Sequence, residues 1–196
     1  MMAKVSIPVT VKARLGIDHQ DREEDLHRFV ETVSRAGCRT FIIHARKAWL
    51  SGLNPKANRT VPPLDHPRVH RLKAAFPHLE IITNGGIASL EAAASHLERV
   101  DGVMVGRAAF DDPWLMARVD GELFGQRPPV EDRREAVLRF LPYLAGELSR
   151  GVPFSILIRP LLGLFNGMPG ARAWRRRLTG GKGIGDVEAA LAAVPP

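Results

Sequence analysis

The sequence predicts an α/β fold of parallel βα units followed by an all-helical region. Three observations lead there. Apolar runs of strand length alternate with amphipathic stretches of helix length through the first 125 residues. Each such run ends in a polar or glycine-containing segment, the side on which parallel strands deliver ligand-binding groups. Beyond the stiff Gln126-Arg127-Pro128-Pro129 hinge the strand-like runs stop and helical periodicity takes over, so the domains are placed at 1–125 and 126–196.

The elements follow in chain order. Residues 5–13 alternate and are rich in β-branched side chains (Val5, Ile7, Val9, Thr10, Val11), which predicts a strand with Lys12 at its C-terminal end. Arg14-Leu15-Gly16-Ile17-Asp18 is read as a loop. Asp21 opens a helix with Leu26, Phe29, Val30 and Val33 at helical spacing behind an acidic first turn. Thr40-Phe41-Ile42-Ile43 is a buried strand running into His44. Cys38 falls at the preceding helix-to-strand turn, away from the strand C-termini, and reads as a structural thiol. The loop 47–65 is long for a compact domain, and loops of this length are often functional. Within it Lys56 and Arg59 are candidates for gripping a ligand larger than a cofactor, with solvated loop charges as the alternative. Pro67 starts the next helix (Val69, Leu72, Phe76). His66 and His70 stand four apart, as metal ligands can, but no third ligand or HExxH pattern accompanies them, so a solvated helix start and no metal are expected.

Residues 79–110 hold the densest pattern. The apolar run Leu79-Glu80-Ile81-Ile82-Thr83 ends in Asn84-Gly85-Gly86-Ile87, a helical segment follows, and a second run ends in Val103-Met104-Val105-Gly106-Arg107. In a βαβ unit the two strand ends are neighbours, so Gly85, Gly86 and Gly106 meet. Glycine admits an anion close to backbone N–H groups, and Arg107 can clamp its oxygens bidentately. This reads as a phosphate cup of the kind found at the last two strand ends of an eight-stranded α/β barrel, the plainer alternative being glycines that only cap turns. Asp112-Pro113 begins a further helix (Trp114, Leu115, Val119, Leu123) that stops near Gly125.

In the helical region, residues 130–150 carry the apolar stripe Val137, Leu138, Leu141, Leu144 and Leu148, and residues 154–165 carry Ile156, Leu157, Leu161 and Leu164, both read as bundle core. After a turn at Gly167-Met168-Pro169-Gly170, residues 171–177 form a strongly cationic helix with one tryptophan. Gly180-Gly181-Lys182-Gly183 is rejected as a nucleotide-binding P-loop, because glycine follows the lysine and no apolar strand precedes it.

Composition narrows the function. No stretch is long and apolar enough to cross a membrane and the start lacks a secretory segment, so a cytoplasmic protein is expected. One cysteine excludes an internal disulfide. Lysine plus arginine number 28 against 21 acidic residues, a net +7, and from Gln126 onward eleven basic residues face six acidic ones. A polyanionic partner would account for that excess, and so would arginines on solvated helix faces.

Val9-Thr10-Val11-Lys12-Ala13-Arg14-Leu15-Gly16-Ile17-Asp18, His44-Ala45-Arg46-Lys47-Ala48-Trp49-Leu50, Asn84-Gly85-Gly86-Ile87, Asp101-Gly102-Val103-Met104-Val105-Gly106-Arg107-Ala108 and the stretch from Gly163-Leu164-Phe165-Asn166-Gly167 to Arg177 together closely resemble the tRNA-dihydrouridine synthases, specifically the A subfamily. The resemblance covers essentially the whole chain. It implies the C-terminal half of an FMN-binding (β/α)8 barrel followed by a helical tRNA-binding domain. The implied activity is reduction of uridines in the 20/20a region of the tRNA D-loop at the expense of NADPH. Carried over position by position, Lys12 and His44 contact the flavin ring region. Asn84, Gly85 and Gly86, with Gly106 and Arg107, hold the ribityl phosphate end. Lys56, Arg59, Arg172 and Arg175 are the implied RNA contacts.

Family members begin with about half a barrel before the first strand seen here, and that half carries the general-acid cysteine, so no catalytic residue is assigned in this sequence. Met1-Met2-Ala3-Lys4 resembles the interior of a family helix, and a portion of a longer enzyme is expected, impaired by itself. Four strands leave two open sheet edges, which predicts self-association. Two rival readings stand: a flavin-dependent barrel oxidoreductase acting on a small molecule, and a non-catalytic RNA-binding module.

Overall fold

The computed structural model describes residues 4–194; the expectation for the Met1-Met2-Ala3-Lys4 start falls almost wholly outside them. Contact density divides the chain into two compact units, one running to Gly106 and one from Arg107, and the Gln126–Pro129 stretch lies within the second.

The first unit is α/β. Four strands, β1 (Val11–Arg14), β2 (Thr40–His44), β3 (Glu80–Asn84) and β4 (Gly102–Met104), form one all-parallel sheet in the order β1-β2-β3-β4. Sequential order with a helix in each crossover, α1 (Glu23–Arg35), α2 (His66–Ala75) and α3 (Leu90–Leu97), is the arrangement of half of a (β/α)8 barrel. One face of the sheet carries Phe41, Ile43 and Ile81, which close a core with Leu26 and Val30 of α1 and Val69 and Leu72 of α2. Asp65 caps α2 by accepting the Arg68 N–H at 3.0 Å, and Ser89 caps α3 by accepting that of Ala92 at 3.2 Å. Cys38 is buried in the same core, its thiol directed at the Val9 and Thr40 carbonyls.

Three expectations are corrected here. The first strand starts at Val11, not Val5, because β2 begins only at Thr40 and leaves residues 5–9 without a partner strand; Val5 and Ile7 are exposed. Arg14 ends β1 rather than opening a loop. Helix α1 begins at Glu23, not Asp21, whose carboxylate is instead held by Lys47 at 2.7 Å; Phe29 is exposed on that helix.

The second unit holds only helices among the described residues: α4 (Arg107–Asp111), α5 (Trp114–Ala117), α6 (Val119–Phe124), α7 (Arg133–Ser149), α8 (Phe154–Leu157), a 3-10 turn (Arg159–Leu161), α9 (Ala171–Gly180) and α10 (Ile184–Ala192). Its core is built on Trp174, Phe165, Val137, Leu144, Leu178 and Val187. The Trp174 indole N–H donates to the Leu161 carbonyl at 2.8 Å, and its ring meets Phe165 edge-on. Leu138 and Ile156, expected in the core, are exposed: the inward stripe of α7 runs through Val137, Leu141, Leu144 and Leu148 with Leu138 beside it, and α8 buries Phe154 and Leu157 while Ile156 lies outside. The helix expected from Pro113 to Gly125 is broken into α5 and α6 at Arg118. The α10 helix was not anticipated. Its Asp186 accepts the Lys182 and Gly183 N–H groups, which makes 181–183 an interhelical turn.

Candidate functional site

Strand register decides which side chains share the C-terminal rim of the sheet. Arg14, His44, Asn84 and Met104 pair across all four strands, and Lys12 sits one pleat lower, level with Ile42, Ile82 and Gly102. Val11, Ala13, Phe41, Ile43 and Ile81 belong to the helix-side core. Period-2 alternation therefore sets Lys12, Arg14, His44 and Asn84 together on the opposite face. That face corresponds to the lumen of a closed barrel, and its side chains are only partly covered.

The turn after β3 requires glycine twice. Gly85 has φ +115° and Gly86 φ +68°. A methyl group on Gly85 would come within 3.2 Å of the His44 imidazole Nε2 and 3.1 Å of Leu64, so His44 lies directly against this backbone. The Gly85 carbonyl accepts from His66 Nε2 at 2.9 Å. A carbonyl only accepts, so His66 carries its proton on Nε2, and its Nδ1 accepts from the Thr83 hydroxyl at 3.0 Å. His66 thereby ties the start of α2 to the glycine turn. The solvated helix start expected for it is corrected: its ring is half-buried and stacks on His96 at 4.1 Å, and His96 in turn meets His70 at 3.2 Å. No group of three side chains with metal-holding geometry occurs among the described residues.

The rim is electropositive. Burial, then the charges of Arg14, Lys12 and Arg46, push His44 down to about 4, so it is neutral at pH 7. Lys12 is lowered by burial and by Arg14, and Arg14 by burial and by Arg59. Each cation disfavours the charged form of its neighbours, so positive charge is concentrated at this rim. His44 Nδ1 is buried and makes no well-formed hydrogen bond, the Arg46 backbone being a weak partner for the imidazole. Asn84 donates its amide N–H to the Met104 carbonyl at 2.8 Å, fixing the β3 and β4 ends together.

The long loop is ordered over this rim. Asn58 accepts the Trp49 N–H at 2.8 Å and donates to the Trp49 carbonyl, and Arg14 donates to the Lys47 and Asn58 carbonyls at 3.0 and 2.9 Å. Lys56 and Arg59, both exposed, flank Asn58. Gly106 has open space where a side chain would stand. Arg107 opens α4 and so belongs to the second unit, as do Arg172 and Arg175, which lie exposed on α9 while Trp174 and Leu178 are buried. The structure thus brings together Lys12, His44, Asn84, Gly85 and Gly86. Sequence reasoning missed Arg14 and His66. The first was legible as the next same-face position after Lys12; nothing in the spacing of His66 pointed to Gly85.

A half-barrel of sequential parallel strands, with cations and glycines gathered at its C-terminal rim, places the first unit in the (β/α) barrel class. The dihydrouridine synthase (Dus) family model matches residues 1–194, and the chain belongs to that family. It is 51% identical over 201 residues to the tRNA-dihydrouridine(20/20a) synthase of Vibrio cholerae serotype O1, covering 100% of this chain and 62% of that protein. It is 57% identical over 176 residues to the Shigella flexneri protein of the same name, covering 89% and 52%, and 56% identical over 176 residues to that of Escherichia coli strain K12, covering 89% and 51%. The chain therefore spans half to six-tenths of the length of these curated relatives.

Proposed function

We propose that the protein works in tRNA dihydrouridine synthesis at positions 20/20a, as its relatives' name tRNA-dihydrouridine(20/20a) synthase suggests, and that it reduces those D-loop uridines with FMN and NADPH, as the resemblance of its motifs to the family implies. The observation that carries the reading is the shared face of Lys12, Arg14, His44 and Asn84 beside the Gly85–Gly86 turn. An anionic, ring-bearing cofactor fits it. His44 Nδ1 has only a weak backbone partner at Arg46 and can take a better one, the glycine turn leaves backbone room, and mutually repelling cations are relieved by negative charge.

FMN supplies hydride chemistry when bound. Lys12 and His44 hold the ring region, with Lys12 favouring negative charge on it, and Asn84, Gly85, Gly86 and Gly106 receive the ribityl phosphate end. Arg107, next to Gly106 in the chain, is assigned to the phosphate on the sequence motif. Lys56 and Arg59 on the loop and Arg172 and Arg175 on α9 meet the RNA backbone, which makes residues 126–196 the tRNA-binding domain. A cytoplasmic location and self-association through the β1 and β4 edges complete the proposal.

Titrating FMN into the protein and following quenching of its fluorescence tests the reading. Saturable binding that Lys12→Ala and Arg107→Ala each weaken about tenfold is expected, a loss of about 1.4 kcal/mol. An absence of FMN binding would leave an RNA-binding module, and FMN binding with no affinity for tRNA would leave a small-molecule flavin oxidoreductase.

A further inference from the structure

An open cleft of about 580 Å³ in the second unit is lined by Phe110, Asp111, Arg159, Leu162, Gly163, Asn166 and Arg175. We propose that it receives one unstacked nucleotide of a single-stranded RNA segment, the base lying on Phe110 and the phosphate between Arg159 and Arg175. The inference rests on the tRNA-binding reading and adds a base-recognising pocket to it.

Phe110 is 61% exposed on the short α4 helix, and it is the aromatic ring in the lining of this cleft. The wall beneath it is built closely. Asn166 donates its amide N–H to the Asp111 carbonyl at 2.6 Å and accepts from the Arg175 guanidinium. Gly163 lies so near Asp111 that any side chain there would collide with that carbonyl oxygen. Arg175 is thus oriented through Asn166 toward the segment that carries Phe110. The only acidic side chain in the lining is that of Asp111.

Charge favours RNA as the occupant over an apolar partner. Between Glu147 and Asp186 the sequence has seven basic residues and no acidic one. Outside that run Arg118, Arg127 and Arg139 are each paired with a nearby glutamate, Glu122, Glu131 and Glu135, whereas Arg159, Arg172, Arg175, Arg176 and Arg177 have no carboxylate within 4.0 Å among the described residues. An exposed ring amid unneutralised guanidinium groups is the combination that binds single strands, the ring accepting any base face and the cations following the backbone.

The test uses the full chain with two fluorescent probes, a decamer of oligouridylate and a fully paired RNA duplex of equal length, read by anisotropy. Phe110→Ala is expected to weaken oligouridylate binding about tenfold and to leave duplex binding within twofold. Phe110→Trp should retain or strengthen it, and Arg159→Ala should weaken both probes. Equal affinity of Phe110→Ala and wild type for oligouridylate, with tRNA still bound, overturns the pocket and spares the tRNA reading. Failure of the wild type to bind tRNA or either probe overturns both.

Discussion

Gly85 and Gly106 mark two different uses of the same residue. At Gly85, φ of +115° is barred to side-chain-bearing residues, and a methyl group would press on His44 and Leu64. Gly85→Ala should therefore cost about 1–3 kcal/mol, lower the urea midpoint, and displace His44. Gly106→Ala meets nothing within 4 Å and should leave the midpoint unchanged. A second residue-scale expectation concerns pH. His44 is held at about 4 against an ordinary 6.5, and His66, His70 and His96 are also lowered, chiefly by burial. The unfolded chain takes up these protons first, so their contribution to stability is complete above 6.5 and is lost as pH falls toward 4. Urea unfolding at pH 7 and pH 5 should show a lower midpoint at pH 5, and His70→Gln should narrow the difference. The depressed carboxylates of Asp21 and Asp101, held by Lys47 and Lys73, lose their contribution at still lower pH and do not account for that window. An identical midpoint at the two values would contradict the neutral, buried state of these rings.

Among the elements, the loop between β2 and α2 is where local chemistry most affects the rim. Asn58 closes it through Trp49, and Arg14 reaches into it from β1. Asn58→Ala removes the Asn58–Trp49 side-chain bonds and leaves the Arg14 bonds to main-chain carbonyls and both hydrophobic cores in place. Trypsin should then cut after Lys56 or Arg59 several-fold faster than in the wild type, while the thermal midpoint changes little; unchanged cleavage would mean that the loop is held by other contacts. The same elements show what a sequence conveys. β2 and β3 were legible because continuous apolar runs end at His44 and Asn84, and their register then carried both side chains to one face. The extent of β1 was not, since alternation in residues 5–9 looks identical whether or not a neighbouring strand exists to pair with it. Leu138 sits in an apolar stripe yet faces solvent, because periodicity reports which helix face is apolar and not how much of that face a neighbour covers. His66 escaped notice for a related reason: its partners, Thr83 and Gly85, are remote in sequence and adjacent only once α2 packs on the sheet.

Over the whole molecule, positive charge gathers in two places. The rim of the first unit concentrates Lys12, Arg14, Arg46 and Arg59, whose mutual repulsion suits a small anion. The acid-free run from Leu148 to Gly185 lies in the second unit and presents its arginines along an exposed helix face, which suits a long polyanion. These two assignments make separable demands. Arg175→Ala should weaken tRNA binding about tenfold and reduce the slope of log affinity against log salt by about one, because one phosphate contact and its counterion release are lost. FMN affinity should be unaltered in that variant. Arg107→Ala should do the reverse, lowering FMN retention while the salt slope for tRNA stays at the wild-type value. Parallel salt titrations on the wild type and both variants, with flavin content measured on the same samples, decide the matter. If Arg175→Ala sheds flavin, or Arg107→Ala flattens the salt dependence, cofactor and RNA are held by one shared set of cations and the division of labour fails.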